Sequence, residues 1–386
     1  MAEAAPPLPA RRDDRARPQV RTIEDPRALA SLEDLWNALG SGLSSPMQHF
    51  SWTAAALETV CASDRLRVVL LRQGASAALA PLARSPRWLP VLCMVGVSRL
   101  GEPVDFLYSD EAALDALAAA LCRAGDPLCL EHLLDDTRVL PALRRAYAGR
   151  GWIRVDPMNA CPVVPLHAGW QDPFTQFNAG RRSDFRRSQR HAEKHGSVSY
   201  EILSPAPGEV DGLLDEAYAV ESRSWKGHAG TDLLTDRPLG DFYRRVARSA
   251  SERGDLRIAF MRIDGRAVAM QVMVEHARRL WLLKIGYDEA FARCSAGNLL
   301  MLEAIGHAAQ RGLVACEFLG SAEAWTRLWT EQVRQQVKIR VYPYNLRGAL
   351  FFAADAAAFV GKRLRRFAQR QLERLRRPAA PGRAPQ

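Results

Sequence analysis

Short apolar runs alternate with stretches of helical periodicity along the chain. Residues 27–60 predict two helices broken near Gly40–Pro46. Leu66–Leu71, Ala77–Ala83 and Leu92–Val97 are brief apolar runs between turn residues, which predicts strands. Helix patterns at 111–124 and 137–149 flank a strand at Leu128–Leu133, and Trp152–Val155 and Val163–Leu166 predict two more strands. Helix and strand thus alternate through residues 22–168, as in an α/β layer fold.

The second half is more regular. Asn178–His195 predicts a helix, with Gly196 suited to its C-terminal cap. Val198–Leu203 predicts a strand, and helices follow at about 209–223 and 239–253. Leu256–Ile263 and Ala267–Glu275 flank Asp264-Gly265, a strong signal for a type I′ hairpin. Leu280–Tyr287 supplies a third strand. Leu299, Leu302, Ile305 and Ala309 then repeat at helical spacing up to Gly312. A strand at Ala315–Leu319, a short helix at Ala322–Glu331 and a strand at Val337–Tyr342 complete the series.

At 386 residues and 48% hydrophobic content, the chain is long enough for two domains. Its net charge of +10 is uneven: residues 345–386 hold ten Lys/Arg against two acids and so carry +8 of it. A globally basic face for nucleic acid is therefore not indicated, and no DNA partner is expected. Seven cysteines with no C-x-x-C or Cys/His cluster in the sequence argue against a disulfide framework or a metal site. The N-terminus lacks an apolar signal-like region, and no apolar stretch approaches the ~20 residues that span a bilayer. The expected location is cytoplasmic, with a peripheral place at the inner membrane face as the alternative. Leu364, Phe367, Ala368, Leu372 and Leu375 form an apolar stripe among arginines, suited to an anionic membrane surface, a partner helix or the chain's own domain.

The order strand, two helices, three-strand meander, helix, strand, helix, strand in 197–342 matches that of the GNAT superfamily. The second half resembles the CelD-like (BcsL-like) acetyltransferases, relatives of the FemAB transferases. The resemblance rests on Glu221-Ser-Arg-Ser-Trp225-Lys226-Gly227, Gly286-Tyr287-Asp288, Ser295-Ala-Gly297-Asn298-Leu-Leu300, and Phe318-Leu-Gly320 with Glu323 and Trp329 downstream. It implies an α/β protein of two tandem GNAT-like domains with mixed sheets flanked by helices. The divisions would be a disordered arm (1–21), a first GNAT-like domain (22–177), a basic connector helix (178–196), a catalytic GNAT-like domain (197–345) and a basic amphipathic tail (346–386). Where the family tends to carry a Glu-Pro-Tyr-Lys-like run, this chain has Glu323-Ala-Trp325-Thr326, so no role for that lysine carries over.

The implied activity is acyl transfer from acetyl-CoA or another acyl-CoA to an amine or hydroxyl, without a covalent enzyme intermediate. The acceptor would be a small or saccharide-linked molecule of cell-envelope or exopolysaccharide biosynthesis. A pyrophosphate needs a turn opening onto a helix N-terminus, which points to Arg293, Ser295, Gly297, Asn298 and Leu299; an ordinary helix start with Ser295 as cap is the alternative. Backbone N–H near Lys284–Gly286 would stabilise the oxyanion. Tyr287 is the candidate acid for the leaving thiolate, and Asp288 and Glu323 are the candidate bases. Trp225, Lys226 and Lys284 are candidate substrate contacts, with Trp225 expected half in the core and His228 in a solvated loop. Two rival readings stay open: a FemAB-like transferase using aminoacyl-tRNA, favoured by six Arg/Lys in the connector, and a non-catalytic scaffold of a polysaccharide synthesis complex.

Overall fold

The computed structural model describes residues 17–42, 45–84 and 91–376, and only the helical backbone at 362 and 364–376. In chain order the first half comprises β1 (Gln19–Ile23), α1 (Pro26–Leu29), α2 (Glu33–Gly40), α3 (Phe50–Glu58), β2 (Arg65–Leu66), β3 (Val68–Gln73), β4 (Ser76–Ala80) and β5 (Leu82–Arg84). It continues with β6 (Leu92–Met94), α4 (Val97–Leu100), β7 (Leu107–Tyr108), α5 (Glu111–Ala124), β8 (Leu128–Leu134), α6 (Val139–Ala146) and β9 (Gly151–Pro165). After α7 (Ala179–Glu193) come β10 (Val198–Leu203), α8 (Val210–Ser222), α9 (Trp225–Ala229), α10 (Arg237–Glu252), β11 (Leu256–Ile263), β12 (Arg266–His276) and β13 (Arg279–Tyr287). The chain then forms α11 (Ala296–Gln310), β14 (Ala315–Glu317), β15 (Val333–Pro343) and α12 (Leu346–Arg376).

The fold is mixed α/β, with helices flanking a four-stranded sheet (β1-β3-β4-β7) and an eleven-stranded sheet (β10-β11-β12-β13-β14-β9-β15-β8-β6-β5-β2). The Asp264-Gly265 hairpin forms as expected: both residues have positive φ (48° and 77°), and Ile263 pairs Arg266. The two halves are not separate in the larger sheet. The last strand of the first half, β9, pairs β14 of the second, while β15 of the second half pairs both β8 and β9. Trp152–Val155 and Val163–Pro165 are parts of this single fifteen-residue β9, not two strands, and Leu166 lies just beyond it. One hydrophobic cluster runs from Trp52 on α3 to Leu214, Tyr218 and Phe242 on α8 and α10, and Trp52 meets Phe242 edge-on at 4.8 Å. A boundary at 177 therefore cuts neither the sheet nor this core into independent units.

Three further expectations need correction. Residues 19–21 of the expected arm are strand, and residues 1–16 lie outside the described residues. The start of the expected tail is packed: Tyr342 stacks on Phe351 at 5.0 Å and its hydroxyl donates to Asp355 (2.7 Å). The side chains of the predicted stripe at 364–375 lie outside the described residues. Finally, the helix expected at 322–331 shrinks to one 3-10 turn, Thr326–Leu328. Among the described residues no helix is long and apolar enough to cross a membrane.

Candidate active site

β13 and β14 are parallel, but they pair only through Arg279–Trp281 and Ala315–Glu317. Beyond that point they diverge. Buried Glu317 marks the closed end, accepting from Arg279 (2.5 Å) and Arg334 (3.4 Å). The register between β12 and β13 slips by one residue at Leu283, because Met273 pairs Leu282 while Val272 pairs Lys284. After β14, Leu319 and Gly320 both take positive φ (58° and 59°) and turn the chain sharply. For leucine this is a strained conformation of the kind that gathers at functional sites. The divergence opens a cleft of about 570 Å³. Met270 and Gln271 of β12, Ile285–Tyr287 of β13, Ser295–Asn298 at the start of α11, and Phe318–Ser321 line it, with Trp225, Lys226, Glu323 and Trp325 at its lip.

At the start of α11 the Ser295 N–H donates to the Ala292 carbonyl (3.0 Å) and the Asn298 N–H to the Ser295 carbonyl (2.9 Å), with no side-chain cap on the Ala296 and Gly297 N–H groups between them. Ser295 has φ 49° and makes no side-chain cap, and the first turn holds no acid. Its role as a conventional side-chain cap is thus not realised. The N–H groups of a helix's first turn lack intrahelical partners and carry its positive dipole end. At the floor, Gln271 is 1% exposed and its Oε1 is buried without a partner, while its Nε2 lies 3.8 Å from Met301 Sδ.

At the lip, α8 ends and α9 begins around a tight turn. A Cβ on Gly227 would lie 1.9 Å from the Ser222 carbonyl oxygen, so only glycine fits. Ser224 caps α9 by accepting from the Lys226 N–H (3.2 Å). Lys226 Nζ then donates to Glu221 Oε1 (2.7 Å) and to the Ile285 carbonyl (2.9 Å). The other carboxylate oxygen of Glu221 accepts from the Leu233 N–H (3.1 Å), and the residue is 0% exposed. The backbone of β13 passes close by: a Cβ on Gly286 would come within 3.1 Å of Glu221 Cα.

Seven of the eleven predicted site residues come together here: Trp225, Lys226, Tyr287, Ser295, Gly297, Asn298 and Glu323. Trp225 is 57% exposed at the lip, not half in the core. Tyr287 abuts the first turn of α11; its Cδ1 is 3.5 Å from where a Cβ on Gly297 would be. Glu323 is exposed and accepts from Trp325 Nε1 (3.1 Å), whose ring stacks on Phe318 at 5.6 Å. The other four do not line the cleft. Arg293 is exposed away from it, and Leu299 is buried in the core. Lys284 sits 4.4 Å above the Tyr243 ring, where burial and neighbouring Lys226 push its pKa down. Asp288 is buried and held by Arg223 (2.7 Å) and Arg266 (2.5 Å). Burial alone would raise its pKa, but the Ala290 N–H and the two guanidiniums outweigh burial and keep it below the carboxylate range. Its carboxylate is engaged by these two ion pairs and does not line the cleft.

Two residues escaped the sequence reading of function. Glu221 lies on the apolar face of α8 with Leu214, Ala217 and Tyr218, and a carboxylate on a core face is a signal for a buried partner. Gln271 interrupts the apolar run of β12 in the same way.

Residues 179–327 match the family model of the acetyltransferase (GNAT) domain. That span runs from α7 through the lip of the cleft. No curated protein sequence matches the chain. Among solved structures the chain is similar to the C-terminal domain assigned to a lysylphosphatidylglycerol synthetase from Agrobacterium fabrum, with TM-score 0.54 and 13% identity over 85% of this chain and 96% of that one. FemX gives TM-score 0.54 and 10% identity over 83% and 98%. A conserved protein of unknown function from Bacteroides thetaiotaomicron gives 0.52 and 11% over 84% and 99%. The likeness in fold therefore spans both halves.

Proposed function

We propose that the chain is an acyl-CoA-dependent N- or O-acyltransferase acting by direct transfer. The observation that carries this reading is the uncapped, acid-free start of α11 opening onto the cleft beside the unpaired edge of β13. The Ala296 and Gly297 N–H groups would hold the pyrophosphate, since those of Ser295 and Asn298 already donate to the Ala292 and Ser295 carbonyls. The pantetheine arm would run along Ile285–Gly286, with Gln271 Oε1 accepting from one of its amides. Tyr287, beside Gly297, would wall the pyrophosphate end rather than protonate the thiolate.

The acceptor enters over the lip. Its nitrogen or oxygen attacks the thioester carbonyl, a C–N or C–O bond forms, the C–S bond breaks, and CoA leaves as thiolate. N–H groups on the β13 edge hold the oxyanion, and the acceptor's proton passes to Glu323. Lys226, tied to Glu221, positions that edge through the Ile285 carbonyl. The matched domain family supports an acyltransferase. The CelD-like motifs, together with the FemX and lysylphosphatidylglycerol synthetase folds, favour an acceptor of cell-envelope or exopolysaccharide biosynthesis.

Calorimetry with acyl-CoA tests the donor. We expect saturable binding to the full chain and its loss in Gly297→Val, whose side chain would occupy the approach to the first-turn amides. No binding to the native chain would remove CoA as donor and favour aminoacyl-tRNA, whereas equal affinity in the variant would keep CoA and overturn its placement at the head of α11.

A further inference from the structure

Histidine and cysteine residues that are far apart in sequence meet at the junction of α7 with the segment leading into α11. His191 lies in the last turn of α7 and His195 just beyond it. At a spacing of four they share one face, and their rings sit 5.4 Å apart. Cys294 ends the 3-10 segment Glu289–Cys294 and is 1% exposed. One ligand atom from each of the three lies within 4.8 Å of the others. The expectation of no Cys/His cluster fails here because the third member is brought in by the fold.

We propose that His191, His195 and Cys294 bind a zinc-class divalent cation that staples α7 to the donor loop. The ligand set of two imidazoles and one thiolate is what a borderline-soft ion such as Zn²⁺ takes, with Zn–N at ~2.0–2.1 Å and Zn–S at ~2.3 Å. Those lengths require ligand atoms ~3.3–3.6 Å apart in a tetrahedron. His195 is exposed and packs edge-on to Phe291 at 5.6 Å. A rotation of that ring closes the remaining gap, and water completes the coordination.

The placement favours a cation. Both histidines stand at the C-terminal end of α7, where the helix dipole is negative. Arg190 and Lys194 precede the two histidines, are both exposed, and lie about 100° round the helix from them. Coordination releases the Cys294 thiol proton to solvent as the S–metal bond forms. The metal would thereby fix the residue directly before Ser295. A second group, His49, Asp255 and His276, also has its ligand atoms within 4.8 Å. Its carboxylate, however, is held by Arg253 at 3.0 Å, and it offers no sulfur.

Cobalt(II) titration of the purified full-length chain decides the matter, because a cysteine ligand gives a sulfur-to-cobalt charge-transfer absorption that histidine and carboxylate ligands do not. We expect one Co²⁺ per chain with that absorption, displaced by Zn²⁺. Cys294→Ser should lose the absorption. Cys294→Ser and exposed His195→Ala should each weaken binding by at least the ~100-fold that loss of an outer-shell partner can cost, and His49→Ala should bind as the native chain does. Zn²⁺ should raise the melting temperature of the native chain and of His49→Ala, but not of His195→Ala. Absence of the charge-transfer absorption, native affinity in Cys294→Ser and His195→Ala, or loss of binding only in His49→Ala would each overturn the site.

Discussion

The two halves make the same structural step and finish it differently. In each, a parallel strand pair brackets a crossover helix: β6 and β8 around α5, and β13 and β14 around α11. At the head of α5, Asp110 accepts from the Ala113 N–H (2.8 Å), and Glu111 follows in the first turn. The positive end of that helix is neutralised by its own side chains. At the head of α11 there is neither cap nor acid, and the first-turn amides face a cleft. The difference is a few side chains at one position in a shared architecture. It separates a helix head met by its own side chains from one whose Ala296 and Gly297 amides have no side-chain cap.

The largest effect should come from the acceptor side, where only the second half carries the lip. Glu323→Gln keeps the shape and removes the charge. We expect near-native acyl-CoA binding and turnover lower by roughly 10²–10⁴-fold, the usual contribution of a general base. Near-normal turnover in steady-state kinetics would take Glu323 out of the mechanism. The anchor beneath the lip is tested by stability. Glu221→Ala leaves the Lys226 ammonium without its buried partner, and breaking such a pair costs roughly 3–5 kcal/mol. We place this variant near the low end, about 3 kcal/mol by denaturant midpoint, because Lys226 keeps some solvent contact. A loss below ~1 kcal/mol would mean that water already satisfies the pair.

Exchanging the two helix heads attacks the comparison directly. Gly297→Asp puts an acid in the first turn of α11. Repulsion of a pyrophosphate at close range is worth a few kcal/mol at an effective dielectric near ~20, so donor affinity should fall by roughly 10²-fold or more while the melting temperature barely moves. Asp110→Ala should do the opposite, costing about 1 kcal/mol of stability and leaving donor affinity unchanged in calorimetry. If both variants alter stability alone, the head of α11 is an ordinary helix start.

How much of this could be read in the sequence depended on the range of the signal. Local signals were legible: the Asp264-Gly265 turn, the meander, and the helix opening after Ser295. Partnership was not, because periodicity marks β9 and β15 as strands without saying that each pairs with strands of the other half. The Leu319-Gly320 bend was hidden for another reason. Leucine with positive φ has no sequence signature, so the following residues read as a helix. Lys284 was misassigned because a bulge breaks the alternation of strand faces. With the slip at Leu283, Leu283 packs in the cluster that holds Tyr243, and Lys284 lies over that same ring. Cys294 needed 98 residues of intervening chain to be folded before it met His195.

The smallest effect lies where the halves join. Glu102, from the first half, has a carboxylate oxygen buried without a hydrogen-bond partner. Burial lifts its pKa from 4.5 to about 7, and Lys284 of the second half opposes the rise. In the unfolded chain the same group titrates near ~4.3. Because the folded value is the higher one, the folded state favours the protonated acid. Its contribution to stability is complete below the unfolded pKa, shrinks as pH rises between the two values, and is lost above about 7. Glu102→Gln resembles the neutral form at every pH. The variant should therefore match the native chain near pH 4.5 and exceed it near pH 8, by on the order of 1 kcal/mol after allowing for the lost attraction to Lys284. Melting curves at the two pH values provide the test. A native chain that is the more stable of the two at pH 8 would mean that Glu102 is ionised and paired with Lys284, so that the halves are joined by an ion pair instead of a neutral acid.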